Sequence, residues 1–573
     1  MAIKTSPYHQ TLPHLTKDNW REHAADKRAR QAALIPQEWR LLPEALDAAG
    51  DDVTEFPKMC GIMSEREVEI TELDEVEELT KRIANKTYTA AEVATAFSKR
   101  AAIAQQLTNC LTEIFFCEAI ERAKELDGIL EKTGKTVGSL HGVPVSLKDQ
   151  FDVAGAESTM GYCSYLGRIS THDSALVRML RDAGAVFHCR TNIPQTLMIG
   201  DVFNHLFGRC CNPHNRKLIP GGSSGGEGAL IAMKGSIVGV GTDVGGSVRI
   251  PSAMCGLHTI RPTTRRLPYA GATTSLIGQK AVVCVAGPMA RSLPSCAFFL
   301  RTILNLNPAN YDPTPLPFAF SDAAYASPAK RGKLAFGIIR TDHNVTPTPP
   351  IKRALELAAQ KLVEAGHEVI EFDSLLLKDV FQLANDIFGA DGGEDFKRAL
   401  DPIDEPLIPG ISPTQNSLKT VSEFWQLNYT KELVQQSFLA QWLATAEQTT
   451  TGRPIDGLLC PPAPVTAVLP GNNRHAGYTG MFNLLDVPVL CFPVTKVDPA
   501  SDLPDPNFVP LNEEDQRFHD EYDVKLTAGM PVGVQLVGRR WQDEELLGLG
   551  EVVSGIIGSK NWAAQHGSVV EAK

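Results

Sequence analysis

The sequence predicts an α/β fold: a single large domain with a mixed central sheet covered by helices on both faces, preceded by a helical N-terminal extension. Three observations predict it. Short apolar runs bounded by Gly, Pro and Asp recur between residues 142 and 286. Helical stretches with one apolar side alternate with them, and a second set of such runs returns between residues 457 and 537. Apolar strands alternating with amphipathic helices are the pattern of a sheet buried on both faces.

Each element follows from local signals. Residues 1–60 are the expected extension, polar and charged, with a helical stretch over 18–34 and then Pro36 and Trp39; the main domain is expected over 61–573. Ser64 with Glu67, and Thr89 with Glu92, have the spacing of capping boxes, and Val93, Phe97 and Ala101 then fall on one helical face. The helical pattern continues over 115–132. Apolar runs at 143–147, 185–189, 237–240 and 281–286 read as strands, and 174–183 reads as a helix with Leu176, Met179 and Leu180 on one side. Later runs at 457–460, 489–494 and 532–537 read the same way. Residues 351–365 form a long amphipathic helix, and 305–332 a Pro-rich loop. The stretch 498–523 holds nine acids and one arginine, which predicts a solvated loop. No internal repeat is present.

Composition excludes several classes. Against 55 Lys and Arg stand 67 Asp and Glu, a net charge of −12, which argues against nucleic acid and anionic membrane as partners. The 12 cysteines are scattered without C-x-x-C spacing, and no H-E-x-x-H occurs, so no metal is expected. The N-terminus lacks an apolar leader, and the charge-free run 457–473 is interrupted by four prolines, so no membrane span is expected. The expectation is a cytoplasmic protein with reduced thiols.

The chemistry is concentrated in two glycine-rich clusters, at 220–229 and 239–251. A flexible linker is the ordinary reading of a Gly/Ser cluster. The second cluster weakens it, because Asp243 and Arg249 lie among glycines inside an apolar stretch. Gly239, Gly241 and Gly245 do not have the spacing of a dinucleotide or phosphate loop. Residues 221–225 also satisfy G-x-S-x-G, which would make Ser223 an α/β-hydrolase nucleophile, but 215–220 offers no strand to lead into such an elbow.

The sequence Gly-Gly-Ser-Ser-Gly-Gly-Glu-Gly-Ala at 221–229, Gly-Thr-Asp-Val-Gly-Gly-Ser-Val-Arg-Ile-Pro at 241–251 and Leu-Lys-Asp at 147–149 resembles the amidase signature family. Stretches at 141–149, 287–291, 482–488 and 529–538 agree, and the resemblance covers about residues 64–557. The 20–39 segment is similar to the fungal acetamidase and general amidase branch, and the central motif to fatty-acid amide hydrolases. These stretches tie most of the chain into one domain, where the length prior of ~150 residues per domain would allow three or four.

The resemblance implies a Ser–Ser–Lys triad without cofactor. Ser247 would be the nucleophile that forms an acyl-enzyme, Ser223 a proton relay on a cis peptide, and Lys148 the terminal base. Val244, Gly245 and Gly246 would supply the oxyanion hole, and Leu197 and Met198 the acyl pocket, although both also read as plain core residues. Asp243 and Arg249 would be a buried structural pair, with Ser224 and Thr242 as hydrogen-bond partners of the catalytic groups. Physical chemistry agrees with these roles. A serine hydroxyl needs a base, and lysine serves as one only when burial lowers its pKa toward ~7–8. Apolar residues 143–147 would deliver Lys148 into such a setting; otherwise it is a snorkelling surface lysine.

One departure stands out: His258-Thr-Ile-Arg-Pro-Thr263 replaces the family's Gly-Leu-Lys-Pro-Thr, and Arg261 keeps the charge. Neither His258 nor His141 is expected to be catalytic. The partner expected is a small-molecule amide, with a homodimer as the assembly left open. Alternatives are an amidotransferase-type subunit, an esterase using Ser223, and a non-catalytic relative. Small aliphatic, aromatic and fatty amides, or an intermediate of a specialised pathway, would all suit the same triad.

Overall fold

The computed structural model describes residues 15–411 and 418–559. The N-terminal peptide read for a leader lies outside them. In chain order the strands are β1 (Leu111–Ile114), β2 (Pro144–Lys148), β3 (Val186–Thr191), β4 (Phe203–Asn204), β5 (Gly208–Arg209), β6 (Val238–Asp243), β7 (His258–Arg261), β8 (Val285–Ala290), β9 (Ala335–Ile338), β10 (Glu368–Glu371), β11 (Gly457–Cys460), β12 (Val489–Lys496) and β13 (Pro531–Val537). β4 and β5 form a small ribbon. The other eleven make one mixed sheet in the order β1-β3-β2-β6-β8-β7-β12-β13-β11-β9-β10.

The sheet is buried on both faces, as the apolar runs predict. Along its right half, Leu459, Leu490 and Leu536 join a core with Leu546 and Leu549 of the helix Asp543–Ile557. Their neighbours Leu458, Val489 and Val537 point to the other face, against Phe438 and Trp442 of the helix Val421–Ala444. That alternation is the period-two signature of a strand with a helix layer on each side.

Both capping boxes form, at Ser64/Glu67 and Thr89/Glu92. The helix Ala90–Thr108 then buries Val93, Phe97 and Ala101 completely. The helix Ala175–Asp182 buries Leu176, Met179 and Leu180. At the sheet edge, the N-terminal helix Trp20–Ala33 covers β1. Gln31 Nε2 donates to the carbonyls of Leu111 and Thr112 at 2.8 and 3.0 Å, and Lys27 pairs with Glu113 at 2.6 Å. Open edge carbonyls are thereby given partners, a common protection of sheet edges.

Two expectations need correction. The run at 281–286 is not a strand throughout: the strand starts at Val285 and continues through Gly287 and Pro288 to Ala290. The Gln279 side chain bonds both the N–H and the carbonyl of Val282 at 2.8 Å, holding that turn off the sheet. The acidic stretch 498–523 is only partly solvated. Asp502 is fully buried against Arg353 at 2.6 Å, and Asp515, also buried, accepts from the Thr346 and Leu511 N–H groups; Asp515 belongs to the helix Glu513–Asp520.

β2 lies between β3 and β6 and is parallel to both, so the three strands end at the same edge. Ligand sites in such sheets form beyond the carboxyl ends of the strands. Lys148 ends β2 and Asp243 ends β6.

Candidate active site

Lys148 is fully buried. Its Nζ lies 2.8 Å from Ser223 Oγ and 2.8 Å from Thr242 Oγ1. Burial pushes its pKa down from 10.5 to about 7, against the smaller opposing pull of Cys284, Asp243 and Glu227. The snorkelling alternative therefore does not describe this side chain.

Ser223 follows a cis peptide bond after Gly222. A side chain at Gly222 would place Cβ 2.4 Å from the Asp201 carbonyl, so only glycine fits there. Ser224 fastens this turn to its surroundings: its N–H donates to the Ser247 carbonyl at 3.1 Å, and its hydroxyl meets both the N–H and the carbonyl of Thr242 at 3.3 Å. The helix Gly225–Ala232 begins immediately after it. No strand leads into Ser223, since β5 ends at Arg209, and its polar partner is a lysine.

Ser247 stands between β6 and the helix Arg249–Cys255 and reaches the cavity surface with 9% exposure. Asp243 organises this loop. Its carboxylate accepts from the N–H groups of Gly246 (2.8 Å) and Val248 (3.2 Å), from Arg249 Nη2 (3.0 Å) and Nε (3.1 Å), and from Asn483 Nδ2 (2.8 Å). Burial alone would raise its pKa, but Arg249 and these bonds hold it well below the usual carboxylate range. Arg249 also donates to the Thr479 carbonyl and to Gln535. Breaking a buried charge pair strands the partner, so Asp243→Ala is expected to cost about 3–5 kcal/mol of stability, read as a shift in denaturant midpoint.

The expected run Val244-Gly245-Gly246 is used unevenly. Gly246 already gives its N–H to Asp243. The N–H groups of Val244, Gly245 and Ser247 have no protein acceptor among the described residues. Gly246 has φ of +128°, and a Cβ there would sit 2.2 Å from Thr479 Oγ1, so the loop requires glycine.

Ser223, Thr242, Val244, Ser247, Leu197 and Met198 line one cavity of about 250 Å³, closed by Tyr269, Val282, Val283 and Cys284. Lys148 sits behind its wall. Several contributors escaped sequence reasoning. Gln150 and Tyr269 extend the polar network from Thr242. Thr479, Asn483 and Gln535 hold the Asp243–Arg249 pair from distant segments. Glu227, buried beside Lys148, accepts from Ser146 Oγ (2.6 Å) and Thr191 Oγ1 (2.9 Å), and burial lifts its pKa to about 7; its signal was an acid inside an apolar glycine-rich run. His258 and His141 do not line the cavity. Burial depresses His258 to about 4, and His141 Nδ1 accepts from the Val137 N–H at 3.0 Å. Arg261 is buried on the Val487 carbonyl at 2.7 Å and beside Asp486.

Comparisons with known proteins give the family and the fold. The Amidase family model matches residues 92–547. An acetamidase of Emericella nidulans is 41% identical over 549 residues, spanning 94% of this chain and 99% of that protein. An acetamidase of Aspergillus oryzae is 40% identical over 547 residues, with the same coverage. A solved fatty acid amide hydrolase superposes with a TM-score of 0.88 at 30% identity, covering 96% of this chain and 99% of its own. The chain belongs to the amidase signature family. It is accordingly an amide hydrolase, an enzyme acting on carbon–nitrogen bonds. Among the described residues, no helix is long and apolar enough to cross a membrane.

Proposed function

We propose that the chain hydrolyses a small-molecule carboxylic amide through an acyl-enzyme on Ser247, with Ser223 and Lys148 moving the proton. The observation that carries this reading is the fully buried Lys148 amine, 2.8 Å from Ser223 Oγ, behind a cavity that Ser223 and Ser247 both line. Neutral Lys148 takes the proton of Ser223, and Ser223 takes that of Ser247 as Oγ attacks the amide carbon. The developing oxyanion is received by the N–H groups of Val244, Gly245 and Ser247, donors of a kind worth about 10²–10³ each in rate. The proton returns through Ser223 to the leaving nitrogen; water then attacks the ester by the same relay and releases the acid. The chain supplies every group in this scheme, and no cofactor enters it.

The reading includes a cytoplasmic enzyme in which residues 1–60 are an extension and 61–573 the catalytic domain. Hydrolysis by the purified chain alone separates it from an amidotransferase-type subunit, whose activity would depend on added partners.

The cavity walls give the substrate a direction. Leu197, Met198, Val244, Val282 and Val283 are apolar, and about 250 Å³ is far more than an acetyl group fills. Each methylene buried from water is worth about 0.8 kcal/mol, close to fourfold in kcat/KM. Across acetamide, butyramide, hexanamide and benzamide, kcat/KM is expected to rise with the apolar group. A maximum at acetamide would instead give this enzyme the specificity its acetamidase relatives are named for.

A further inference from the structure

Gln150 lies two residues beyond Lys148, fully buried and outside the cavity lining. Its carboxamide has one possible orientation. Nε2 donates to the Thr273 carbonyl at 3.1 Å and to the Tyr269 hydroxyl at 2.8 Å. A backbone carbonyl only accepts, so the atom facing Thr273 is the nitrogen, and the atom facing Thr242 is the oxygen. The main chain fixes the same register, because the Thr273 N–H donates to the Gln150 carbonyl at 2.8 Å.

This orientation dictates the polarity of the next bond. Gln150 Oε1 can only accept, so the single hydroxyl proton of Thr242 goes to it. Thr242 Oγ1 then presents lone pairs to Lys148 Nζ at 2.8 Å, and the amine must be the donor there. A neutral amine has one lone pair. Of the two hydroxyls within 2.8 Å of Nζ, Thr242 has no proton left to offer it; Ser223 has. A Thr242 hydroxyl free to rotate would compete with Ser223 for that lone pair.

We infer that Gln150 is a positioning residue of the proton relay: by holding Thr242 as an acceptor, it reserves the lone pair of neutral Lys148 for the Ser223 hydroxyl. The inference rests on the proposed Ser247–Ser223–Lys148 reading. No bond forms or breaks at Gln150 itself. It acts through Thr242, and the proton still travels from Ser247 to Ser223 to Lys148.

A double-mutant cycle with Gln150→Leu and Thr242→Val tests it on the full chain, using a turned-over amide and a fluorophosphonate probe for the nucleophile. Gln150→Leu is expected to lower kcat by about 10²-fold, the scale of a misdirected catalytic group, with a much smaller change in KM, because Gln150 is outside the cavity and reaches its lining only through Tyr269 and Thr242. Thr242→Val removes the competing hydroxyl, so it should cost less than Gln150→Leu. Adding Gln150→Leu to Thr242→Val should then change kcat less than twofold. Multiplicative losses in the double variant, or a rise in KM alone, would overturn the inference and leave Gln150 as packing. Melting temperatures separate folding from function, and if Gln150→Leu does not fold, Gln150→Met, close in volume, carries the same cycle. Failure of the underlying reading looks different: Lys148→Met or Ser247→Ala would retain full activity whatever Gln150 does.

Discussion

Ser247→Ala is expected to abolish amide hydrolysis, with kcat falling by roughly 10⁴–10⁶-fold, the range seen when the nucleophile of a serine hydrolase is removed. The size follows from the scheme. Without Oγ no acyl-enzyme forms, and binding and oxyanion donors alone supply only the residual rate. The fold should survive, because the loop is held by Asp243, Arg249 and the Ser224 N–H to Ser247 carbonyl bond, none of which uses the Ser247 hydroxyl. A fluorophosphonate should therefore label the wild-type enzyme, fail to label Ser247→Ala, and label Ser223→Ala slowly at Ser247. Labelling at Ser223 in the Ser247→Ala protein would transfer the nucleophile to Ser223 and sink the scheme.

Sequence and structure divide unevenly at this site. Lys148, Ser223 and Ser247 were legible through the family resemblance of the motifs that hold them; local pattern alone reads Lys148 as a surface lysine and Ser223 as an elbow serine. Asp243 and Arg249 were legible with them, but the distant groups that complete this pair were not. The Asp243 carboxylate is completed by Asn483, and Arg249 by Thr479 and Gln535, residues more than two hundred positions away. No local pattern marks them; the helix Gly477–Leu485 delivers Thr479 and Asn483, and β13 delivers Gln535. Gln150 is close to Lys148 in sequence, but its role depends on Thr273, which the 270–284 segment brings back.

The fold shows the same limit. Most buried strands declared themselves as apolar runs, whereas β8 carries Gly287 and Pro288 and reads as a break. The helix Val421–Ala444 has no single apolar stripe: Phe438 and Trp442 are buried while Trp425, Tyr429 and Leu433 face outward. Its periodicity therefore gave no signal.

Lys148 carries the second large expectation, in which pH and stability oppose each other. In the proposed scheme only the neutral amine serves as base, and burial lowers its pKa to about 7. kcat/KM should be flat above that value and fall tenfold per unit below it, to about 1% of the plateau at pH 5. Lys148→Met should lower kcat by about 10²–10⁴-fold, the usual worth of a general base. The same substitution should stabilise the fold. The unfolded lysine keeps its proton to about 10.5 and the folded one gives it up near 7, so between those values the unfolded state binds more protons and stability rises with pH. Below about 7 the cost of the buried charge is fully present. Lys148→Met should thus raise Tm more at pH 6 than at pH 10. Glu227 titrates in the same range and needs its own control. Its carboxylate raises the Lys148 pKa, so in Glu227→Gln the acid limb should move to lower pH and persist. Disappearance of the limb in that variant would assign it to Glu227 and remove Lys148 from the role of base.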